Sequence, residues 1–215
     1  MRTQSLWGKP PSRFYRLLRR LDRALGAGWE LVVLGCADGK FVVPAARKGV
    51  RVYAVDCDEV ALFGGRKAQP CGTTVLMEGL RRRLEREELE SLVEIRHADF
   101  VAQRAPRRFT AVLTSGAIQY SRNVRYSADE IMCRIIEYVA PAGYLYVDYM
   151  LPWEAKYHGR PNCPDEEWWR WWSRRLAGWK VLYNRVLRPT RDPAHVEYPV
   201  DHYHRWGHLL MYRLP

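Results

Sequence analysis

Two glycines and one carboxylate follow short apolar runs near the start of the chain. Gly35 and Gly39 come directly after the apolar run 31–34, and Asp56 ends the next run, 50–55. Glycines after a buried strand let the backbone approach a ligand where a Cβ would collide. An acid at the tip of the following strand can accept hydrogen bonds from two ribose hydroxyls. The spacing therefore predicts a β-α-β unit that holds a nucleoside.

The stretch 33–39 resembles motif I of class I S-adenosylmethionine (SAM)-dependent methyltransferases, in a form close to Asp-Leu-Gly-Cys-Gly-Thr-Gly. Three positions depart from that form. Val33 stands where the motif has an acid, Ala37 where it has a glycine, and Asp38 where it has a small residue. The resemblance implies that Asp38 brings a carboxylate near the amino-acid end of the cofactor.

Later landmarks extend the resemblance over residues 30–150. The predicted third strand ends near Asp99, where the family pattern has an acid that accepts from the adenine amino group. The stretch 115–121 resembles the loop that lines the junction of cofactor and substrate in the tellurite-resistance and thiopurine methyltransferase-like branch. A helix, Pro-Ala-Gly at 141–143 and a strand follow in the family order. The residues that the resemblance places against SAM are Gly35, Cys36, Ala37, Gly39, Asp56, Cys57, Asp99, Phe100, Ser115 and Gly116.

The resemblance implies an enzyme that transfers a methyl group from SAM to a small-molecule acceptor by in-line displacement. SAM carries its methyl group on a sulfonium, so we expect no metal. The protein must align the nucleophile, carbon and sulfur and exclude water. The predicted catalytic residues, for an acceptor that must lose a proton, are Tyr120, His202 and His204. The predicted substrate and lid residues are Trp7, Arg13, Tyr15, Gln119, Tyr149 and Trp153.

Two further functions remain open at this stage. Some proteins resembling this family cyclise SAM itself to azetidine-2-carboxylate and release methylthioadenosine, and Ala37 and Asp38 are compatible with that reaction. An RNA methyltransferase, or a SAM- or RNA-binding module without catalysis, is the other alternative. The acid that follows the glycine turn also suits a nicotinamide cofactor, but Asp99 and the final strand pair favour SAM.

Alternating apolar strands and helices predict an α/β fold with a mainly parallel sheet. The resemblance implies that this sheet is doubly wound, seven-stranded and Rossmann-like, with an antiparallel last strand. A length of 215 residues suits a single domain, 1–215. Residues 1–28 form an N-terminal segment, irregular at first and helical from Ser12 until Gly26 and Gly28, that either closes over the cofactor as a lid or packs on the sheet. Substrate-side insertions are expected at 152–178 and 188–206. Helices are also predicted at 58–69 and 74–92.

Asp165 begins a predicted helix with tryptophans at 168, 169, 171 and 172 on one broad face. This face either packs into the core or forms an aromatic wall against a cation, which aromatic rings attract by roughly 0.5–2 kcal/mol. Both interpretations are open at the level of sequence.

The net charge, the cysteines and the length of the apolar runs indicate in which compartment the protein resides and which partners it binds. The formal net charge is +11, which permits nucleic acid as a partner, but a small-molecule substrate is favoured. Five cysteines without a Cys-x-x-Cys pair indicate reduced thiols and a cytoplasmic protein. No apolar run approaches the ~20 residues of a membrane span, so no membrane partner is expected. The oligomeric state is left open.

The sequence gives little support for a serine hydrolase, a phosphate-binding loop or a metal site. There is no Gly-x-Ser-x-Gly elbow of a serine hydrolase and no phosphate-binding P-loop. His202, His204 and His208 have a spacing that could converge on zinc, but among cysteines and carboxylates only Asp201 is grouped with them. We therefore expect no metal site.

Overall fold

A computed structural model describes residues 5–68, 72–119, 125–152, 161–192 and 201–215, with the backbone alone for Asp192 and His202. The chain divides into two compact units, the first formed by 1–99 with 193–201 and the second by 100–192 with 202–215. The expected single domain over 1–215 stays a prediction.

Six helices and ten strands are described. The helices are α1 (Ser12–Leu25), α2 (Val42–Ala46), α3 (Glu59–Phe63), α4 (Leu80–Arg86), α5 (Ala128–Glu137) and α6 (Glu166–Arg175). The strands are β1 (Glu30–Leu34), β2 (Arg51–Asp56), β3 (Gly65–Ala68), β4 (Thr74–Met77), β5 (Val93–His97), β6 (Phe109–Ser115), β7 (Val139–Leu151), β8 (Trp179–Val186), β9 (Thr190–Asp192) and β10 (His202–Arg213). None of these described helices is both long enough and apolar enough to span a membrane.

Eight of the strands form one mixed sheet in the order β5-β2-β1-β6-β7-β10-β8, with β9 paired to β10 off this path. The strand pairs β1–β2, β2–β5 and β6–β7 are parallel. β10 is antiparallel to β7, β8 and β9. This topology confirms the predicted α/β fold with a mainly parallel sheet and antiparallel C-terminal strands, and β9 adds a strand to the seven expected.

The first unit is built on β1 and β2, whose central side chains are buried because both faces of these strands are covered. α1 buries Phe14, Leu17, Leu18 and Leu21, which recur at helical spacing. Phe14 packs edge-on against Phe41, with ring centroids 5.0 Å apart. The helix therefore lies against the segment that directly follows the glycine turn.

The predictions of continuous helices at 58–69 and 74–92 were wrong. α3 ends after five residues, and a two-stranded β3–β4 hairpin follows before the short α4. Gly64 and Gly79 have positive φ, and a Cβ on Gly79 would lie 2.2 Å from the Gly64 nitrogen. The two backbones thus meet at the base of the hairpin, where only glycines fit, and helical periodicity did not show this contact.

The second unit places the tryptophan-bearing helix α6 against β7. The Tyr149 and Trp169 rings stack with centroids 3.8 Å apart. Trp169 and Trp172 are buried, whereas Trp171 is 48% exposed. For Trp169 and Trp172, these contacts support the core-packing interpretation of the tryptophan face.

Candidate functional site

Asp56 ends β2 beside the glycine turn of the first unit. Its Oδ2 accepts the backbone N–H of Ala37 at 2.7 Å, and its Oδ1 accepts the N–H of Asp58 at 2.8 Å. Burial raises the pKa of this carboxyl above its ordinary value, and the two N–H donors oppose that rise. The carboxylate is therefore held rigidly at the strand end, with each oxygen oriented by one donor.

Asp99 follows the strand next to Asp56. In the parallel β2–β5 pair, Asp56 is the register partner of His97, and the N–H of Ala98 donates to the Asp56 carbonyl at 2.8 Å. Asp99 comes one residue later and is half-buried. The two predicted nucleoside-binding acids thus lie at the carboxyl ends of adjacent parallel strands, where ligands of open α/β sheets bind.

The geometry of Asp56 fits a ribose. A carboxylate has about four lone-pair positions, and two of them are used by Ala37 and Asp58. One acceptor position is left on each oxygen, which matches the two neighbouring hydroxyls of a ribose. The predicted role of Asp56 is thus compatible with the contacts it already makes.

The turn between β1 and α2 is shaped by positive backbone angles. The φ values are 73° at Gly35, 48° at Ala37 and 90° at Gly39. A Cβ on Gly39 would lie 2.5 Å from Leu80 Cδ1, so this glycine also lets α4 pack closely. Burial raises the pKa of the neighbouring Cys36 thiol well above its ordinary value, so this cysteine stays a neutral core residue.

Asp38 is directed toward the N-terminal segment. Its carboxylate is buried, accepts from the Ser5 hydroxyl, and accepts from the Leu6 N–H at 2.7 Å. The Arg83 guanidinium lies 3.5 Å from the Asp38 Oδ1 and donates to the Asp38 carbonyl. The unusual acid of the turn thus anchors residues 5–6, and its implied place near the amino-acid end of the cofactor stays a prediction.

The three residues predicted for the lid, Trp7, Arg13 and Tyr15, all lie in the first unit. The Lys67 ammonium sits 5.1 Å from the centre of the Trp7 ring and pairs with Asp58. Arg13 is half-buried on α1, and Tyr15 is 37% exposed. Their role as a lid stays a prediction.

In the second unit, three polar side chains meet across β6, β7 and β10. The Ser115 hydroxyl donates to Asp148 Oδ2 at 3.1 Å, and His208 Nδ1 hydrogen-bonds to Asp148 Oδ1. The N–H of Gly116 donates to the Asp148 carbonyl at 3.0 Å. Ser115 and Gly116, predicted to contact the cofactor, are therefore tied to a buried acid that the sequence analysis did not single out.

Gln119 has the features of a ligand-contacting residue. Its side chain is 8% exposed, and both polar atoms of its amide are buried without a partner among the described residues. Asn162 holds the preceding turn by donating to the Ile118 carbonyl at 3.1 Å. Buried amides are normally hydrogen-bonded, so this amide is compatible with the predicted contact to a substrate, which stays a prediction.

The other predicted site residues lie in different environments. The Tyr149 hydroxyl donates to Asn184 at 2.7 Å, and burial raises its pKa. His204 is half-buried and contacts the Trp206 ring edge-on at 5.6 Å. Phe100 is buried, and Cys57 is half-buried with its carbonyl 3.2 Å from His97 Nε2. Tyr120, Trp153 and the His202 side chain lie outside the described residues.

Sequence reasoning missed Asp148 as a site residue and considered His208 only as a zinc ligand. Each interrupts an apolar strand, Asp148 within Leu-Tyr-Val-Asp-Tyr-Met and His208 within Gly-His-Leu-Leu-Met. A charged residue in an apolar strand is the signal that could have found them, since such residues are rarely buried without a partner. Pairing between distant strands could not be read from either segment alone.

Comparison with known proteins identifies the fold of this chain but not its family. No protein-family model matches the chain, and no curated protein sequence matches it. Solved structures do match. TehB from Haemophilus influenzae has a TM-score of 0.63 and 12% sequence identity, with 93% of this chain and 62% of that one covered. This chain therefore spans less than two thirds of TehB.

Two other solved structures are matched over more of their own length. A SAM-dependent methyltransferase from Thiobacillus denitrificans, in complex with S-adenosyl-L-homocysteine, has a TM-score of 0.60 and 15% identity over 99% of this chain and 94% of its own. The [4+2]-cyclase SpnF has a TM-score of 0.60 and 14% identity over 93% of this chain and 80% of its own. The chain thus has the fold of SAM-dependent methyltransferases, as its motif resemblance implied.

Proposed function

We propose that this protein binds SAM and transfers its methyl group to a small-molecule acceptor by in-line displacement. SAM, when bound, supplies a methyl group on a positively charged sulfur that leaves as a neutral thioether. The chain's own part is to hold the nucleoside, orient the acceptor and keep water away from both.

One observation carries the proposal: Asp56 and Asp99 follow adjacent parallel strands, and Asp56 is fixed by the backbone of the glycine turn. Two acids so placed suit the sugar and the base of one nucleoside. The similarity in fold to a structure containing S-adenosyl-L-homocysteine supports the same ligand class.

Calorimetric titration with SAM and with S-adenosylhomocysteine tests the binding step. Asp56→Ala should weaken binding by about 1.5–3 kcal/mol, the usual value for hydrogen bonds to a charged group. Asp129→Ala is the matched control, because it removes an exposed carboxylate from α5. Unchanged affinity in Asp56→Ala would contradict the ribose assignment.

Product analysis by mass spectrometry then tests the reaction. S-adenosylhomocysteine formed only when an acceptor is present supports methyl transfer. Methylthioadenosine formed from SAM alone would instead reveal cyclisation. The contacts of Asp38 with Ser5, Leu6 and Arg83 account for that residue without cyclisation chemistry, so we favour transfer.

An RNA substrate is the second candidate, and α1 is the observation that favours it. Arg16, Arg19, Arg20 and Arg23 are exposed and follow i, i+3, i+4, i+7 spacing, which places them on one helix face. Guanidinium groups suit phosphates because they can donate two parallel hydrogen bonds. A stripe of this kind could follow a nucleic-acid backbone.

Fluorescence anisotropy with labelled single-stranded RNA at increasing salt separates the two candidates. Replacing both Arg19 and Arg20 with Gln should reduce the slope of log affinity against log salt by about 1.4 if each contacts one phosphate. Arg185→Gln, an exposed arginine on β8, is the control. If the two α1 substitutions leave this slope unchanged, the RNA candidate is contradicted and only the small-molecule proposal remains.

A further inference from the structure

A continuous row of polar side chains crosses the sheet of the second unit. Ser115 on β6 is the register partner of Asp148 on β7, which in turn is the register partner of His208 on β10. Register partners on neighbouring strands project from the same face. Asp148 therefore stands between the other two, with one carboxylate oxygen bonded to each.

Stability alone does not account for this row. Asp148 is 1% exposed and His208 is 5% exposed. Removing such groups from water is costly, and apolar side chains of similar volume are often equally stable or more so in their place. Titratable pairs buried in this way concentrate at functional sites.

The contact with Asp148 determines how a neutral His208 is protonated. With the carboxylate at Nδ1, the proton lies on Nδ1 and the lone pair on Nε2. Nε2 is buried and has no hydrogen-bond partner among the described residues. The Tyr146 ring lies nearly parallel to the imidazole, at 6.4 Å between centroids. The Nε2 lone pair is thus not used by any donor among the described residues.

The row adjoins the segment that follows β6. Ser115 is the last residue of β6, and Gly116 donates to the Asp148 backbone. The open amide of Gln119 comes three residues further on. Because ligands of open parallel sheets bind beyond the carboxyl ends of the strands, the row lies at the end where an acceptor would bind.

We propose that His208 is the catalytic base of this enzyme, with Asp148 as its positioning residue, and that the acceptor carries a dissociable proton on its nucleophilic oxygen or nitrogen. This inference rests on the proposed function. The proton moves from the acceptor atom to His208 Nε2, and the bonding electron pair stays on the acceptor atom, which becomes the nucleophile. The imidazolium is stabilised by the Asp148 carboxylate, and its extra proton is later released to water.

Nitrogen-15 NMR of the uniformly labelled protein tests the resting state without any cofactor. We expect the resting His208 to carry its proton on Nδ1 and a lone pair on Nε2, and the tautomer to change in Asp148→Asn. A His208 that carries a proton on both nitrogens at the pH of the activity assay would be a fixed ion pair without a lone pair. That result would overturn the proposal.

The role of His208 as the base is tested by kinetics, with the acceptor whose methylated product is detected. His208→Gln and His208→Ala should lower kcat by about 10²–10⁴, the usual contribution of a general base. The affinity for SAM should stay within about twofold, and imidazole in solution should partly restore the rate of His208→Ala. Ser173→Ala removes another buried polar group and serves as the control. An unchanged kcat in folded His208→Gln, or no rescue of His208→Ala by imidazole, would overturn the proposal.

Failure of the proposed function and failure of the inference about His208 give different experimental results. If wild-type protein shows no heat with SAM, the proposed function fails and the inference about His208 falls with it. If SAM binds and methyl transfer is observed, but the His208 variants behave as wild type, only the inference about the base fails.

Discussion

The backbone N–H of Leu6 donates to the buried carboxylate of Asp38 at 2.7 Å. The Ser5 hydroxyl donates to the same carboxylate, and the buried Arg83 guanidinium lies 3.5 Å from it. An acid in the glycine turn therefore ties the N-terminal segment to this turn. The segment that the sequence suggested as a lid is attached at one of the positions where the turn departs from the motif that it resembles.

Replacing Asp38 should destabilise the protein. Asp38→Ala removes the acceptor of Ser5 and Leu6 and leaves Arg83 buried without this carboxylate. We expect the free energy of unfolding to fall by about 3–5 kcal/mol, as when one partner of a buried charge pair is removed. Urea denaturation measures the loss. Arg83→Met is the partner variant, and strictly additive effects in the double mutant would argue against the coupling.

Ligand binding should depend on pH through Asp56. Burial raises the pKa of this carboxyl, and only its ionised form is a full acceptor for ribose hydroxyls. The affinity for S-adenosylhomocysteine should therefore be highest above the raised pKa and fall as the pH drops through it, beginning above the ordinary value of about 3.9. Calorimetry across this range measures the effect, and Asp56→Asn should bind more weakly without this pH dependence.

The stability of the unliganded protein should change with pH in the opposite sense. Because the folded state favours the neutral form of Asp56, its contribution to stability is present below the unfolded pKa and is lost as the pH rises through the folded pKa. Comparing the pH dependence of urea unfolding in wild type and Asp56→Asn isolates this contribution. Identical pH profiles would contradict the raised pKa.

Gly79→Ala should disrupt the base of the β3–β4 hairpin. A Cβ at this position would lie 2.2 Å from the Gly64 nitrogen, and φ is +81°. We expect a loss of about 1–3 kcal/mol from the backbone conformation, since φ +81° with ψ 157° is nearly confined to glycine, and about 1–3 kcal/mol more from the collision. Gly49→Ala is a matched control, since its φ is +78° and no described atom lies within 4 Å of its Cβ. Equal losses in thermal unfolding would rule out the collision.

Gly207→Ala should destabilise the second unit. The new Cβ would lie 2.0 Å from Cζ of Tyr149, whose ring covers this glycine and stacks on Trp169. We expect a loss of about 1–3 kcal/mol from overpacking, measured by urea denaturation. Adding Tyr149→Leu should recover part of that loss because the smaller side chain leaves space. A neutral Gly207→Ala would show that Tyr149 does not lie over this strand.

The sequence was informative where a short segment carries its own signal. The apolar runs that became β1, β2 and β6 are buried on both faces, so their composition alone marks them as strands. Ser127 and Glu130, which have the Ser-x-x-Glu spacing of a capping box, form one at the start of α5. Around β3 and β4 the local signal misled, because the glycines that end each element act through a contact between distant backbones.

The amino-acid sequence by itself determined the strands that became β1, β2 and β6, the glycine turn and the acids that follow β2 and β5, since each depends on neighbouring residues. Only the tertiary structure decided that Asp38 anchors Ser5 and Leu6, and that Asp148 stands between Ser115 and His208. These contacts join residues that are far apart along the chain. They form because strand register and burial bring the polar groups together, and a buried carboxylate needs such partners in place of water.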